Sequence, residues 1–115
     1  MKTIFCDIDG TLVFHHGDLH AQYTFKPVLL EDTIDTLKDW DRKKYNIILV
    51  TGRRESMRPK TEKMLEELGI FYDQLIMGIG GGPRVLINDL KSGSNTHTAF
   101  AVNIERNRGI KNVKI

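Results

Sequence analysis

In the segment IFCDIDGTLV two carboxylates, Asp7 and Asp9, alternate with apolar residues and are followed at once by Gly10. Burying charge without a partner is costly, so two acids closing a buried run call for a cation, a ligand or a shared proton. The plain alternative, a strand end with a turn-forming Asp-Gly, accounts for one acid but not for the whole segment. Two further polar clusters close apolar runs: Thr51-Gly52-Arg53 after NIILV, and Asn88-Asp89 after VLI. Carboxylates from two such ends could bind one hard cation through oxygen. A threonine hydroxyl and the backbone amides of a T-G-R turn could hold a phosphate oxygen. Mg²⁺ suits this donor set, because waters and a substrate phosphate complete its shell and few protein ligands are needed.

These residues can meet only if the apolar runs before them are neighbouring strands. Ile4, Phe5 and Cys6 are β-compatible and predict a short buried strand turning at Gly10. Residues 14–27 have neither a helical period nor strand alternation and contain Gly17 and Pro27, which predicts a loop or small hairpin flap. In VLLEDTIDTLKDWDRKKY, Val28, Leu29, Ile34, Leu37 and Trp40 recur at helical spacing. Glu31 and Asp32 come early and Arg42, Lys43 and Lys44 late, as the helix dipole favours. NIILVTGR reads as a second strand. ESMRPKTEKMLEELGI reads as a second helix, its regular part starting near Pro59 and closed by Gly69. FYDQLIMG, PRVLINDL and HTAFAVNI read as third, fourth and fifth strands, with GIGGGP a glycine-rich connection before the fourth.

Short apolar strands separated by helices predict an α/β protein: a Rossmann-like three-layer sandwich whose central, mostly parallel sheet of about five strands is covered on both faces. In such sheets ligands bind beyond the carboxyl ends of the strands, where the polar clusters converge.

The chain has 115 residues, 40% hydrophobic and 28% charged, which suits one domain over residues 1–115 with the flap as an insert at 14–27. A formal charge of +2 without a Lys/Arg block argues against a nucleic-acid partner and leaves small anions open. The single cysteine, Cys6, excludes an internal disulfide framework and reads as a small buried hydrophobe in a reducing compartment. No signal-peptide h-region or membrane-length apolar run is present, so the expectation is a cytoplasmic protein without a membrane partner.

DIDGT, hydrophobic-T-G-R and hydrophobic-N-D, in this order and at strand ends, resemble the motifs of the haloacid dehalogenase superfamily over roughly residues 2–103. FYDQLIMG and the run after it also look similar to small members related to capsule-sugar and Kdo 8-phosphate-type phosphatases, in which the core stands nearly without a cap. The resemblance implies a Mg²⁺-dependent phosphohydrolase for a small soluble phosphomonoester, a sugar phosphate being one candidate. Asp7 would form an aspartyl-phosphate, and Asp9 would protonate the leaving oxygen and then activate water. The metal would sit on Asp7, the Asp9 carbonyl and the fourth-strand position, Asn88 or Asp89, while Thr51, Gly52 and Arg53 would steady the phosphoryl oxygens. A homo-oligomer is compatible with this reading. The alternative is a catalytically weak or inactive binding protein of the same fold.

The sequence departs from the family pattern in two places. The first of the paired acids is replaced by Asn88, and the lysine that follows the third strand in close relatives is missing from MGIGGGPR. Lys60, Arg53 and Arg84 are the possible substitutes, each also readable as a solvated surface charge. An EF-hand is excluded because Gly10 comes at the fourth position and not the sixth, and GIGGGP neither follows the first strand nor opens a helix as a dinucleotide turn would. His15 and His16 are adjacent and point opposite ways if extended, so with His20 they read as polar flap residues and not as a shared metal site.

Overall fold

Burial alternates along Thr3–Asp7, with Ile4 and Cys6 inside and Phe5 outside, as expected of a strand with one face on the core. This is β1 in the computed structural model, which describes residues 1–115. It is followed by α1 (Leu19–Thr24), α2 (Thr33–Arg42), β2 (Asn46–Val50), a 3₁₀ turn (Glu55–Met57), α3 (Arg58–Leu68) and β3 (Gln74–Ile76). The three strands form one parallel sheet in the order β1-β2-β3, with Phe5 opposite Ile48 and Leu49 opposite Leu75. The central strand, β2, is the most apolar, and its Ile47, Ile48 and Leu49 are all buried. α3 has Pro59 in its first turn, and ends at Gly69, whose φ of 77° lies where a side chain would be strained.

One core cluster joins Ile4, Cys6, Ile47 and Leu49 of the sheet to Leu37 and Trp40 of α2 and Met64 and Leu65 of α3. Ile8, Leu12 and Val13, just past β1, are fully enclosed in the same cluster, which roots the D-x-D-G-T segment in the core. All these sheet residues lie on one face. On the other, Phe5 is 51% and Ile76 40% exposed, so the expected three-layer sandwich is replaced by a core on one side of the sheet.

The sheet has three strands where five were expected. PRVLINDL and HTAFAVNI are apolar enough for strands, but between residues 83 and 103 the only backbone bond is from the Ser94 amide to the Lys91 carbonyl. A strand needs a partner's ladder as well as apolar residues. Here Asn88 and Thr98 join the two runs by side-chain bonds, leaving Val85, Ile87 and Phe100 largely exposed and the outer edge of β1 unpaired. The radius of gyration, 14.8 Å, exceeds the roughly 13 Å of a compact chain of this length, as an extended arm requires.

Two smaller corrections lie nearer the cleft. The flap contains the short helix α1, because the Asp18 carboxylate accepts from the Ala21 amide at 2.8 Å and caps it. α2 starts at Thr33 and not near Val28. Residues 28–30 are extended, with the Phe14 amide donating to the Val28 carbonyl and the Leu30 amide to the Leu12 carbonyl. No helix is long and apolar enough to cross a membrane.

Candidate functional site

The turn after β1 wraps around one carbonyl. The amides of Thr11, Leu12 and Val13 all point to the Ile8 oxygen, and the Gly10 amide closes the loop on the Val13 oxygen at 2.7 Å. Gly10 has φ of 88°, so a residue without Cβ is required there. With Ile8 held in the core, its neighbours Asp7 and Asp9 both face a cleft at the carboxyl end of the sheet. The cleft, about 370 Å³, has four walls: the flap (His15, Gly17, Asp18, Leu19, Gln22), the Thr51-Gly52-Arg53 turn, the glycine loop (Gly80, Gly81, Arg84) and Arg106. Its volume falls at the small end of the about 300–1,000 Å³ usual for ligand pockets.

The two acids differ sharply in their partners. Asp7 accepts a 3.1 Å bond from the Thr11 hydroxyl. Asp7 is exposed to the cleft, and partial loss of solvent around its carboxyl raises its pKa; the Ile8 amide and Thr11 oppose that rise, the Asp9 charge adds to it, and Arg84 opposes it. Asp9 is clamped. Arg53 forks onto both of its oxygens at 2.8 Å each, and the Gln22 amide donates to Oδ1 at 2.7 Å. Arg53 is itself 3% exposed and is fixed by Thr61 and by the Met64 sulfur, with its guanidinium 5.7 Å from the Tyr23 ring centre. Gln22 is buried, donates also to the Phe14 carbonyl, and accepts from the His16 amide. α1 and its flap are thereby tied to the β1 turn through Asp9, and to the T-G-R turn through the Tyr23 hydroxyl, which accepts from the Arg54 amide.

The T-G-R turn and the glycine loop are built against each other. The Gly78 amide donates to the Arg53 carbonyl at 2.7 Å and the Ile79 amide to the Thr51 carbonyl at 3.3 Å. A Cβ on Gly52 would stand 2.7 Å from the Gly80 carbonyl oxygen, so glycine is needed there for close approach. Thr51 is fully buried at the cleft floor, and its hydroxyl accepts from the Arg53 amide. Arg84 donates to the carbonyls of Gly80 and Gly82, which holds it on the loop.

Asp7, Asp9, Thr51, Gly52 and Arg53 therefore share one cleft, and Arg84 joins them. Lys60 does not line it; its ammonium donates to the Tyr23 carbonyl. Asn88 and Asp89 also lie outside, Asn88 bonding the Thr98 hydroxyl at 3.0 Å. No group of three or more His, Cys, Asp or Glu is placed to hold a metal. Beside Asp18, which caps α1, the cleft offers one carboxylate not taken by arginine, Asp7, and the Asp9 carbonyl, which accepts no backbone bond. One or two carboxylates with waters and substrate phosphate are a usual Mg²⁺ shell, so this smaller donor set still fits the ion. Cys6 is buried beneath the site, its thiol pushed up to about 12 chiefly by burial and further by the Asp7 charge.

Gln22, Arg106 and Asn107 were not singled out from the sequence. Asn107 sits in a turn with φ of 65°, its amide donates to the Gly10 carbonyl at 2.8 Å, and its side-chain oxygen accepts from the His15 amide at 2.7 Å. The N-R-G tripeptide at 107–109 is a turn signal that could have marked this clip.

The fold and cleft thus define a small α/β protein with an acid–arginine site at the carboxyl ends of a parallel sheet. No family model and no curated protein matches the sequence. Among solved structures it is similar to a chain of the Pnkp1/Rnl/Hen1 complex, with 29% identity and a TM-score of 0.58, over 73% of this chain and 30% of that one. It is similar also to a chain of the Pnkp1/Rnl/Hen1 RNA repair complex, with 27% identity and a TM-score of 0.58, over 82% of this chain and 28% of that one. The chain therefore spans less than a third of the length of these neighbours. A structural-genomics protein from Vibrio cholerae aligns over 76% of this chain and 80% of its own, with a TM-score of 0.55; at 20% identity that likeness concerns the fold alone.

Proposed function

We propose that the protein is a Mg²⁺-dependent phosphohydrolase of the haloacid dehalogenase type, acting on a small soluble phosphomonoester through an aspartyl-phosphate. The observation that carries this reading is the placement of Asp7: a carboxylate at the carboxyl end of β1, oriented by Thr11, facing a small cleft that also holds Arg84. Asp7 attacks phosphorus in line, its oxygen forming the new P–O bond as the bond to the leaving oxygen breaks. The leaving oxygen takes a proton from Asp9. Water then attacks the same phosphorus, Asp9 takes its proton, and the bond to Asp7 breaks to release phosphate. Arg84 and the Gly52 amide, the one amide of the T-G-R turn without an acceptor, balance charge on the transferring oxygens. Bound at Asp7 and the Asp9 carbonyl, Mg²⁺ would offset the repulsion between carboxylate and phosphate.

The clamp on Asp9 bears on its role. With Arg53 and Gln22 on its oxygens the carboxylate is held as an acceptor, which opposes taking a proton from water as much as holding one for the leaving oxygen. It serves in either step only in a form where one partner has let go. That same clamp, together with Asn88 and Asp89 outside the cleft, is what favours the second reading, a binding protein of this fold with weak or no turnover. Phosphate release decides between them. The panel with Mg²⁺ should include an aryl phosphate, several sugar phosphates and, given the likeness to chains of an RNA repair complex, a 3′-phosphorylated and a 5′-phosphorylated RNA oligonucleotide. The expected result is Mg²⁺-dependent release from the aryl and a small aliphatic phosphate. No release from any of them supports the binding protein, and release from RNA ends alone overturns the small-molecule substrate.

A further inference from the structure

Three arginines line the cleft and they are not equivalent. Arg53 is paired with Asp9, and Arg84 is held by two carbonyls of its own loop. Arg106 donates to no protein acceptor. Its stem packs on Gly10, its Cγ 3.2 Å from where a Cβ there would be and on the side where His15 lies, and the residue lines the cleft. This placement is built. The turn 105–109 is pinned to the β1 turn by the Asn107 amide on the Gly10 carbonyl, and to the flap by the Asn107 side chain, which accepts from the His15 amide and donates to the His15 carbonyl. Asn107 and Gly109 both take left-handed backbone to make the turn, and Gly109 and Ile110 behind it are buried. Arg106 is exposed at the cleft wall, its backbone is pinned and its guanidinium is unpartnered, and such a cation is available to an anion in the cleft.

The reacting phosphoryl group already has its own cation. Arg84 stands close enough to Asp7 to act on that carboxyl, opposing the pKa rise that desolvation causes. Arg106 lines a different wall, beside Gly10 and the flap, and is not the cation of the glycine loop.

We propose that Arg106 binds a second anionic group on the substrate, so that the preferred phosphomonoester carries a carboxylate or a second phosphate on a short leaving group. This deepens the phosphohydrolase reading and rests on it. Arg106 is a specificity-determining residue here, carried by the 105–109 turn.

The test compares matched pairs: 2-phosphoglycolate against 2-hydroxyethyl phosphate for a carboxylate, and fructose 1,6-bisphosphate against fructose 1-phosphate for a second phosphate. Each is assayed with the full-length wild type, Arg106→Ala and Arg106→Lys. Wild type is expected to favour the charged member of at least one pair by tenfold or more in kcat/KM, mostly through KM. Arg106→Ala should erase that ratio and Arg106→Lys should restore part of it; the pair that responds identifies the anion. A merely structural role for Arg106 would lower both members alike and leave the ratio intact. That result, or a wild type without preference, overturns the proposal. Calorimetric titration of Asp7→Asn protein with the same four compounds separates the two layers. A charge preference in binding that is lost when Arg106 is also replaced, with no turnover of any of these compounds by the wild type, keeps the second-anion site and rejects the hydrolase. Absence of binding by all four compounds, together with absence of turnover, rejects both.

Discussion

The exchange between Arg53 and Asp9 governs the site at the residue scale. Removing one partner of a buried pair costs about 3–5 kcal/mol because the other is left uncompensated. Asp9 retains 14% exposure and the Gln22 amide, so Arg53→Met should fall at or below the bottom of that range. Thermal melts should show a clear loss for Arg53→Met and a smaller one for Arg53→Met with Asp9→Asn, since the double variant buries no lone charge. Equal losses would mean that the pair is not coupled. Asp7 gives a pH signature of opposite sign to an ordinary carboxylate. Its folded pKa is raised by desolvation, so the folded state binds the proton more tightly and stability falls as pH rises from the unfolded value through the folded one. Metal-free Asp7→Asn should therefore melt higher than wild type at pH 7, with the gap closing below the unfolded pKa of about 4. A lower Tm for Asp7→Asn at pH 7 would show that the cleft stabilises the charge. Asp7, Asp9, Thr51 and Arg53 were legible because local spacing places them at the ends of apolar runs. For Asn107 the N-R-G tripeptide signals only a turn, and its partner His15, 92 residues away, leaves no trace in the local pattern.

The elements that serve the site are the turns after β1 and β2 and the loop after β3. Gly52 is the tightest point between the last two, and an alanine there drives its Cβ into the Gly80 carbonyl. The loop must back away and Arg84 goes with it. Gly52→Ala should lower kcat/KM on the order of 10- to 100-fold, the scale of a misplacement near 1 Å, while the core remains intact. Leu65→Ala should do the reverse. Leu65 is fully buried in α3 against the sheet, and its truncation should cost about 2–5 kcal/mol by chemical denaturation with little change in activity of the folded fraction. Swapped outcomes would show that the loop is structural or that the core controls the cleft. Periodicity found β1, β2, β3, α2 and α3 because each is paired or packed along its whole apolar face. It misplaced residues 28–30, whose apolar spacing suits a helix but whose backbone bonds go to residues 12 and 14. It also made strands of residues 83–90 and 97–103, where apolar content is present and a ladder is not.

Those two runs set the behaviour of the whole molecule. An arm that exposes Val85, Ile87 and Phe100 and forms no ladder should exchange its amides within the shortest labelling time, whereas residues 46–50 of the central strand exchange last. Protection at 84–88 comparable to β2 would mean that this run is paired in solution. The central claim concerns chemistry at Asp7, and a covalent trap reaches it most directly. Full-length Asp9→Asn, which keeps the nucleophile but lacks the base for water, is mixed with an aryl phosphate and Mg²⁺, quenched in acid and digested for mass spectrometry. The prediction is a phosphate on the peptide containing Asp7, absent from the Asp7→Asn protein, which should also lose essentially all turnover. Wild type that hydrolyses the aryl phosphate while Asp7→Asn does so equally well, with no phosphorylated peptide in Asp9→Asn, would contradict the covalent reading.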